Sequence, residues 1–186
     1  RGHGKAHDFR CDHSTYTIRE PGSDPPGTSG TPHCGAQDVL PIHVYNVRRD
    51  EIFAPVVRVV WDLNPVPRGA GGTRFLSGSH KSSFKIPEEI TADNQHPLLE
   101  DYECPAGSML VFSEALCHAA APWTCATHDR VSIFSHYLHA GTKYNEGGPM
   151  VETVMAMPPK RRTLFRGVWI GRYEKNETYS AENRAT

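Results

Sequence analysis

Short apolar runs separated by clusters of turn-forming residues dominate this chain, and few stretches keep apolar residues at helical spacing. Residues 109–112 (MLVF) and 131–134 (VSIF) are rich in β-branched and aromatic side chains with turn formers on either side. They predict buried strands within 108–112 and 130–138. Residues 42–47 alternate loosely, RRDE turns, and 52–63 (IFAPVVRVVWDL) predicts a long strand broken at Pro55, so the natural expectation is a hairpin. A turn-rich NPVPRGAGG follows, with Gly71 and Gly72 at a close turn, then a short strand at 73–76 and the turn Ser77-Gly78-Ser79-His80-Lys81. Within 82–103, PEEI and HPLLEDY each predict one helical turn in a loop. Residues 158–170 predict a closing helix, and the polar residues from 172 onward are expected to fray. Trp61 and Phe75 fall in strand patterns and are expected in the core.

Residues 1–32 are polar, with Gly, Pro and Ser concentrated in EPGSDPPGTSGTP at 20–32. So little apolar surface does not offset the entropy of ordering, which predicts a loop or a partly disordered insert. Short strands joined by turns, without an internal repeat, predict an all-β core, a jelly roll with a few peripheral helices. Three regions result. Residues 1–32 form a polar N-terminal segment of a truncated domain, 33–140 the jelly-roll core, and 141–186 a C-terminal extension with one helix. The chain opens on Arg1 rather than Met, as expected of a fragment or a processed form.

Composition narrows the function classes. A length of 186 residues with 38% hydrophobic content suits one core. The net charge is −1 and no basic block exceeds Lys160-Arg161-Arg162, so no footprint for nucleic acid is expected. No apolar run approaches the about 20 residues of a membrane span, and no signal-peptide pattern opens the chain. A soluble, cytoplasmic protein with no membrane partner is expected. The five cysteines, Cys11, Cys34, Cys104, Cys117 and Cys125, are odd in number and contain no CxxC pair, which argues for reduced thiols. Asn176-Glu177-Thr178 matches the glycosylation pattern and is read as chance in the absence of a signal peptide.

The chemistry concentrates in residues 107–139. His118 sits where one predicted strand ends, and Arg130 where the next begins. A neutral imidazole is a good metal ligand, and a guanidinium fork takes a carboxylate through two parallel hydrogen bonds. Ser132 shares a strand face with Arg130 and supplies a further hydroxyl. The plain alternative is that His118 caps a turn and Arg130 pairs with a surface carboxylate. For His136 and His139, solvent or a hydrogen bond is the expected partner.

Three segments, GAGGTRFLSGSHKSSF, CPAGSMLVFSEALCHAAAPW and DRVSIFSHYLH, together resemble the phytanoyl-CoA dioxygenase family of iron(II)- and 2-oxoglutarate-dependent oxygenases. The resemblance holds in order and spacing over about residues 30–140. It implies a double-stranded β-helix with iron at its mouth, Fe(II) and 2-oxoglutarate as cofactors, and hydroxylation of a small organic substrate. It also implies His118 as the distal iron ligand, Arg130 with Ser132 at the far carboxylate of 2-oxoglutarate, and no catalytic residue beyond the metal site. The matching Gly78-Ser79-His80 element implies that His80 supports the fold rather than the metal.

One motif departs from the family. None of the eleven histidines is followed two residues later by Asp or Glu, so the family's His-x-Asp pair is missing. Its nearest counterpart is His33-Cys34-Gly35, a His-x-Gly variant, with His43 as the fallback. Three readings stay open, in this order: a carboxylate from Asp38, Glu114 or Asp12 completes the site of a hydroxylase; the fold is an inactive or repurposed binding protein; or the vacant position holds water or a halide, as in iron halogenases.

Overall fold

The computed structural model describes residues 9–25, 30–34, 44–82, 84–145 and 148–168. Its strands are β1 (Phe9–Arg19), β2 (Asn46–Arg48), β3 (Glu51–Phe53), β4 (Val56–Asp62), β5 (Gly72–Phe75), β6 (Glu100–Asp101), β7 (Ser108–Ser113), β8 (His118–Ala121) and β9 (Arg130–His139). Three short helices accompany them: α1 (Glu88–Thr91), α2 (Val151–Ala156) and α3 (Pro159–Arg162). A four-stranded sheet runs in the order β1-β9-β4-β7, a three-stranded sheet in the order β6-β5-β8, and β2 with β3 forms a hairpin. By contact density the chain divides into two compact units, Thr15–Phe134 and Arg1–Ser14 with Ser135–Thr186. The fold is mostly β, as the pattern of short runs predicts, and no helix among the described residues is long and apolar enough to cross a membrane. No disulfide joins any of the five cysteines.

The hairpin and the break at Pro55 lie where they are expected, and Arg49 and Asp50 make the turn at φ +52° and +62°. Four expectations are corrected. First, the segment read as part of a polar loop contains β1. Thr15, Thr17 and Arg19 alternate on the face that lines a cavity, while Tyr16 and Ile18 on the other face are 77% and 59% exposed. Polarity here belongs to the inner face of a strand. Second, HPLLEDY is not helical, because Glu100 and Asp101 pair with Phe75 and Arg74 as β6; PEEI does contribute α1. Third, the closing helix starts earlier and is split. Met157, ahead of Pro158, is held in extended conformation (ψ 154°), the backbone that a following proline imposes, so α2 and α3 are separate.

The fourth correction concerns parity. Trp61 is 41% exposed, and Met109 and Val111 on the paired strand β7 are about half exposed, so these strands bury one face only. In β4 the inward positions are Val60, fully buried, and Asp62, 1% exposed, which turns Trp61 outward. The inner face therefore carries charge while its reverse carries exposed apolar side chains.

Candidate metal and anion site

β7 ends at Ser113, and a tight turn closed by Leu116 N–H donating to the Ser113 carbonyl (2.9 Å) brings the chain back as β8. Glu114 occupies that turn and His118 opens β8, a strand the sequence pattern did not reveal. His118 and His33 exchange both backbone hydrogen bonds, each 3.0 Å, as an isolated antiparallel bridge. Directly opposed residues of an antiparallel pair present their side chains on the same face. The register alone therefore brings the two imidazoles together, with ring centroids 4.4 Å apart.

Each ring is oriented by its own backbone. Nδ1 of His33 lies 2.7 Å from the Thr31 carbonyl and Nδ1 of His118 lies 2.8 Å from the Leu116 carbonyl. A carbonyl only accepts, so Nδ1 carries the proton in both rings and Nε2 is left as a lone-pair donor. Burial pushes the His118 pKa down to about 4; Glu114 opposes this and His33 adds to it. His118 is thus neutral at pH 7, the state a metal requires. Phe112 packs edge-on against the same ring at 5.1 Å.

Glu114 supplies the third corner. Its Oε1 is 3.6 Å from His118 Nε2, and one ligand atom from each of His33, Glu114 and His118 lies within 4.8 Å of the others. Donors bound at about 2 Å to a common ion stand about 3–4 Å apart, a separation that Glu114 and His118 meet. Arg58 clasps the same carboxylate, Nε to Oε2 at 3.0 Å and Nη2 to Oε1 at 2.9 Å. A carboxylate has lone pairs beyond the two this fork uses. Of the other third-ligand candidates, Asp12 accepts from Arg10 at 2.7 Å and from the backbone N–H of Tyr144 and Asn145, within the other compact unit. Asp38 and the fallback His43 lie outside the described residues.

Arg130 is 2% exposed. Its Nε donates to Asp62 Oδ1 (3.1 Å) and its Nη2 to Thr73 Oγ1 (3.1 Å) and the Tyr102 hydroxyl (2.8 Å). The carboxylate that Arg130 pairs with is buried, not the surface one of the plain alternative. Ser132 Oγ donates to the same Asp62 oxygen at 2.5 Å, and the Tyr102 hydroxyl donates to Oδ2. Burial pushes the Tyr102 pKa up, and the Asp62 carboxylate adds to the rise. A side chain at Gly72 would meet the Arg130 guanidinium at 3.3 Å, so glycine there leaves room for it.

A cavity of about 190 Å³ lies among these groups, and its walls include Arg19, His33, Arg58, His118, Arg130 and Phe134. Phe134 lies under both Arg130 (5.7 Å) and Arg58 (6.0 Å). Arg19, Arg58, Asp62 and Tyr102 escaped the sequence reading. One signal existed: Arg58 and Asp62 sit four residues apart, on one face of an otherwise apolar strand. His80, placed against Tyr45 at 4.7 Å, is not in the triad.

No family model matches the chain. The proteins Rv1501 of Mycobacterium tuberculosis and Mb1539 of Mycobacterium bovis are each 34% identical to it over 77 residues, 41% of this chain and 26% of theirs. Among solved structures, HygX from Streptomyces hygroscopicus with iron bound is similar at a TM-score of 0.55 and 19% identity, over 70% of this chain and 58% of HygX. HygX with nickel, 2-oxoglutarate and hygromycin B bound gives 0.55 and 20%. The chain thus spans about a quarter of the length of these mycobacterial relatives and less than two thirds of HygX, and at such identity it is the fold that the two share.

Proposed function

We propose that this chain carries the core of an iron(II)- and 2-oxoglutarate-dependent oxygenase, a double-stranded β-helix of the phytanoyl-CoA dioxygenase type that hydroxylates a small organic substrate. The observation that carries the reading is the convergence of His33, Glu114 and His118, of which the two histidines line the same cavity as Arg130. Two histidines and one carboxylate with room beside them are the donor set of non-haem iron oxygenases. The likeness to HygX supports it, since that protein has been crystallised with iron and with nickel and 2-oxoglutarate.

Each residue then has a task. Nε2 of His33 and of His118 and one oxygen of Glu114 hold the metal. Arg58 is a positioning residue that keeps the Glu114 carboxylate turned toward Nε2 of His118. Arg130 receives the far carboxylate of 2-oxoglutarate through Nη1, the nitrogen its internal partners leave open, while Asp62 fixes the guanidinium and Ser132 fixes Asp62. The aromatic rings of Phe112 and Phe134 line the cavity and limit water beside the metal. Iron, held by these residues, would supply the oxidising power for a reaction in which oxygen is reduced as 2-oxoglutarate is oxidised to succinate and carbon dioxide.

A carboxylate at the third corner favours hydroxylation over halogenation, which needs that corner free. The fork of Arg58 on Glu114 favours the second reading, a binding protein whose carboxylate is already occupied. A succinate-release assay separates them. Purified protein with iron(II) is expected to consume 2-oxoglutarate, at a rate that Arg130→Ala lowers mainly by raising the 2-oxoglutarate requirement. Unchanged melting with either iron(II) or 2-oxoglutarate, together with no succinate, would overturn the enzyme.

A further inference from the structure

Three arginines line the cavity, and two of them have their acid: Arg58 pairs with Glu114 at 2.9 Å and Arg130 with Asp62 at 3.1 Å. Arg19, 5% exposed, has no carboxylate within ion-pair distance among the described residues. Its Nη2 donates to the carbonyls of Ala121 (2.7 Å) and Ser23 (3.2 Å), while Nε and Nη1 are buried with no hydrogen-bond partner. Thr17 Oγ1, one inward position earlier on β1, is likewise buried and unpartnered. Buried donors are almost always satisfied, and a buried charge without a counter-ion is more costly still. Three open donor atoms on one strand face, all bordering one cavity, mark the place of a missing anion.

Contact charges point the same way. Arg58 and Arg130 each have a carboxylate in contact, whereas Asp24 acts on Arg19 only from beyond ion-pair distance. A carboxylate of the substrate would give Arg19 the contact that the other two already have.

We propose that Arg19 and Thr17 form a second anion position in the cavity, which takes a carboxylate of the substrate, so that the compound hydroxylated is an organic acid. This rests on the oxygenase reading, in which Arg130 belongs to 2-oxoglutarate. Burial and the nearby Arg130 lower the Arg19 pKa to about 10, with Asp24 opposing them, which leaves its guanidinium charged at pH 7.

The test uses protein loaded with zinc(II), a redox-inert ion, and saturated with 2-oxoglutarate. Propionate, benzoate and octanoate are titrated by calorimetry, each against its uncharged amide. At least one acid is expected to bind, with its amide at least tenfold weaker. Arg19→Gln is expected to weaken that acid at least tenfold while changing 2-oxoglutarate affinity less than threefold. Thr17→Val weakens the acid several-fold, and Arg19→Lys recovers part of the loss. The proposal is overturned if no acid binds, if acid and amide bind alike, or if Arg19→Gln weakens 2-oxoglutarate tenfold, which would assign Arg19 to the cosubstrate. Should Arg19→Gln fail to fold, Thr17→Val and Arg19→Lys carry the same test, and acid binding unchanged in both overturns it. Absence of 2-oxoglutarate binding with acid binding still dependent on Arg19 defeats the oxygenase reading and leaves the anion position standing.

Discussion

Two buried arginines on neighbouring strands meet opposite surroundings. Arg130 on β9 is held by Asp62, Thr73 and Tyr102 over the ring of Phe134, whereas Arg19 on β1 touches only carbonyl groups. Both are at least 95% buried, so exposure does not separate them. The difference lies in contact with a counter-charge: the fold sets Asp62 against Arg130, while Asp24 acts on Arg19 only from beyond ion-pair distance. A buried guanidinium with its acid is part of the architecture, while one without it raises the free energy of the empty protein and lowers that of the complex.

Stability tests this contrast most strongly. Arg130→Met strands the Asp62 carboxylate and is expected to cost about 3–5 kcal/mol, read from urea unfolding of the metal-free protein. Arg19→Met removes an unbalanced charge and is expected to be neutral or stabilising in the same experiment. Equal destabilisation by the two would erase the distinction.

The next effect concerns pH. His118 is neutral in the fold, with its pKa lowered to about 4, whereas an unfolded imidazole takes up a proton below about 6.5. The unfolded state then binds more protons, so the stability is fully present above pH 6.5 and is lost as pH falls toward 4, by about 3 kcal/mol. Replacing the ring in His118→Gln should flatten this part of the profile of melting temperature against pH. A profile unchanged by the substitution would place the effect elsewhere.

Arg58 provides a smaller and more selective effect. As a group that orients a ligand, it is expected to give a loss of about 10–100-fold in zinc affinity on Arg58→Met, measured by competition with a chelating dye. Smallest of all is the outer face of the four-stranded sheet. Trp61→Thr and Met109→Thr alter exposed side chains on the reverse of β4 and β7 and should shift stability by no more than about 0.5 kcal/mol. A loss comparable to Arg130→Met would mean that this apolar face is covered in solution.

Much of the frame is written in local pattern. The β2–β3 hairpin, the break at Pro55 and the strands β5, β7 and β9 follow from β-branched runs and turn residues, because those preferences act over a few neighbours. His118 and Arg130 were legible for the same reason, lying at the ends of such runs within a spaced set of motifs. β1 was not, since a strand whose inner face lines a polar cavity has the composition of a loop.

What tertiary structure alone decided is which groups meet. Of the carboxylates that competed in sequence, and among the described residues, the turn between β7 and β8 brings Glu114 to His33 and His118 while Asp12 is engaged by Arg10. The pairing of His33 with His118 depends on a bridge 85 residues apart in sequence, and that of Asp62 with Arg130 on two strands brought together by the sheet. Local sequence sets strand parity and turn position, but partnership across a sheet depends on register, and register is chosen by the whole fold. That is why the chain by itself named the histidine and the arginine, and only the fold showed which arginine still lacks its acid.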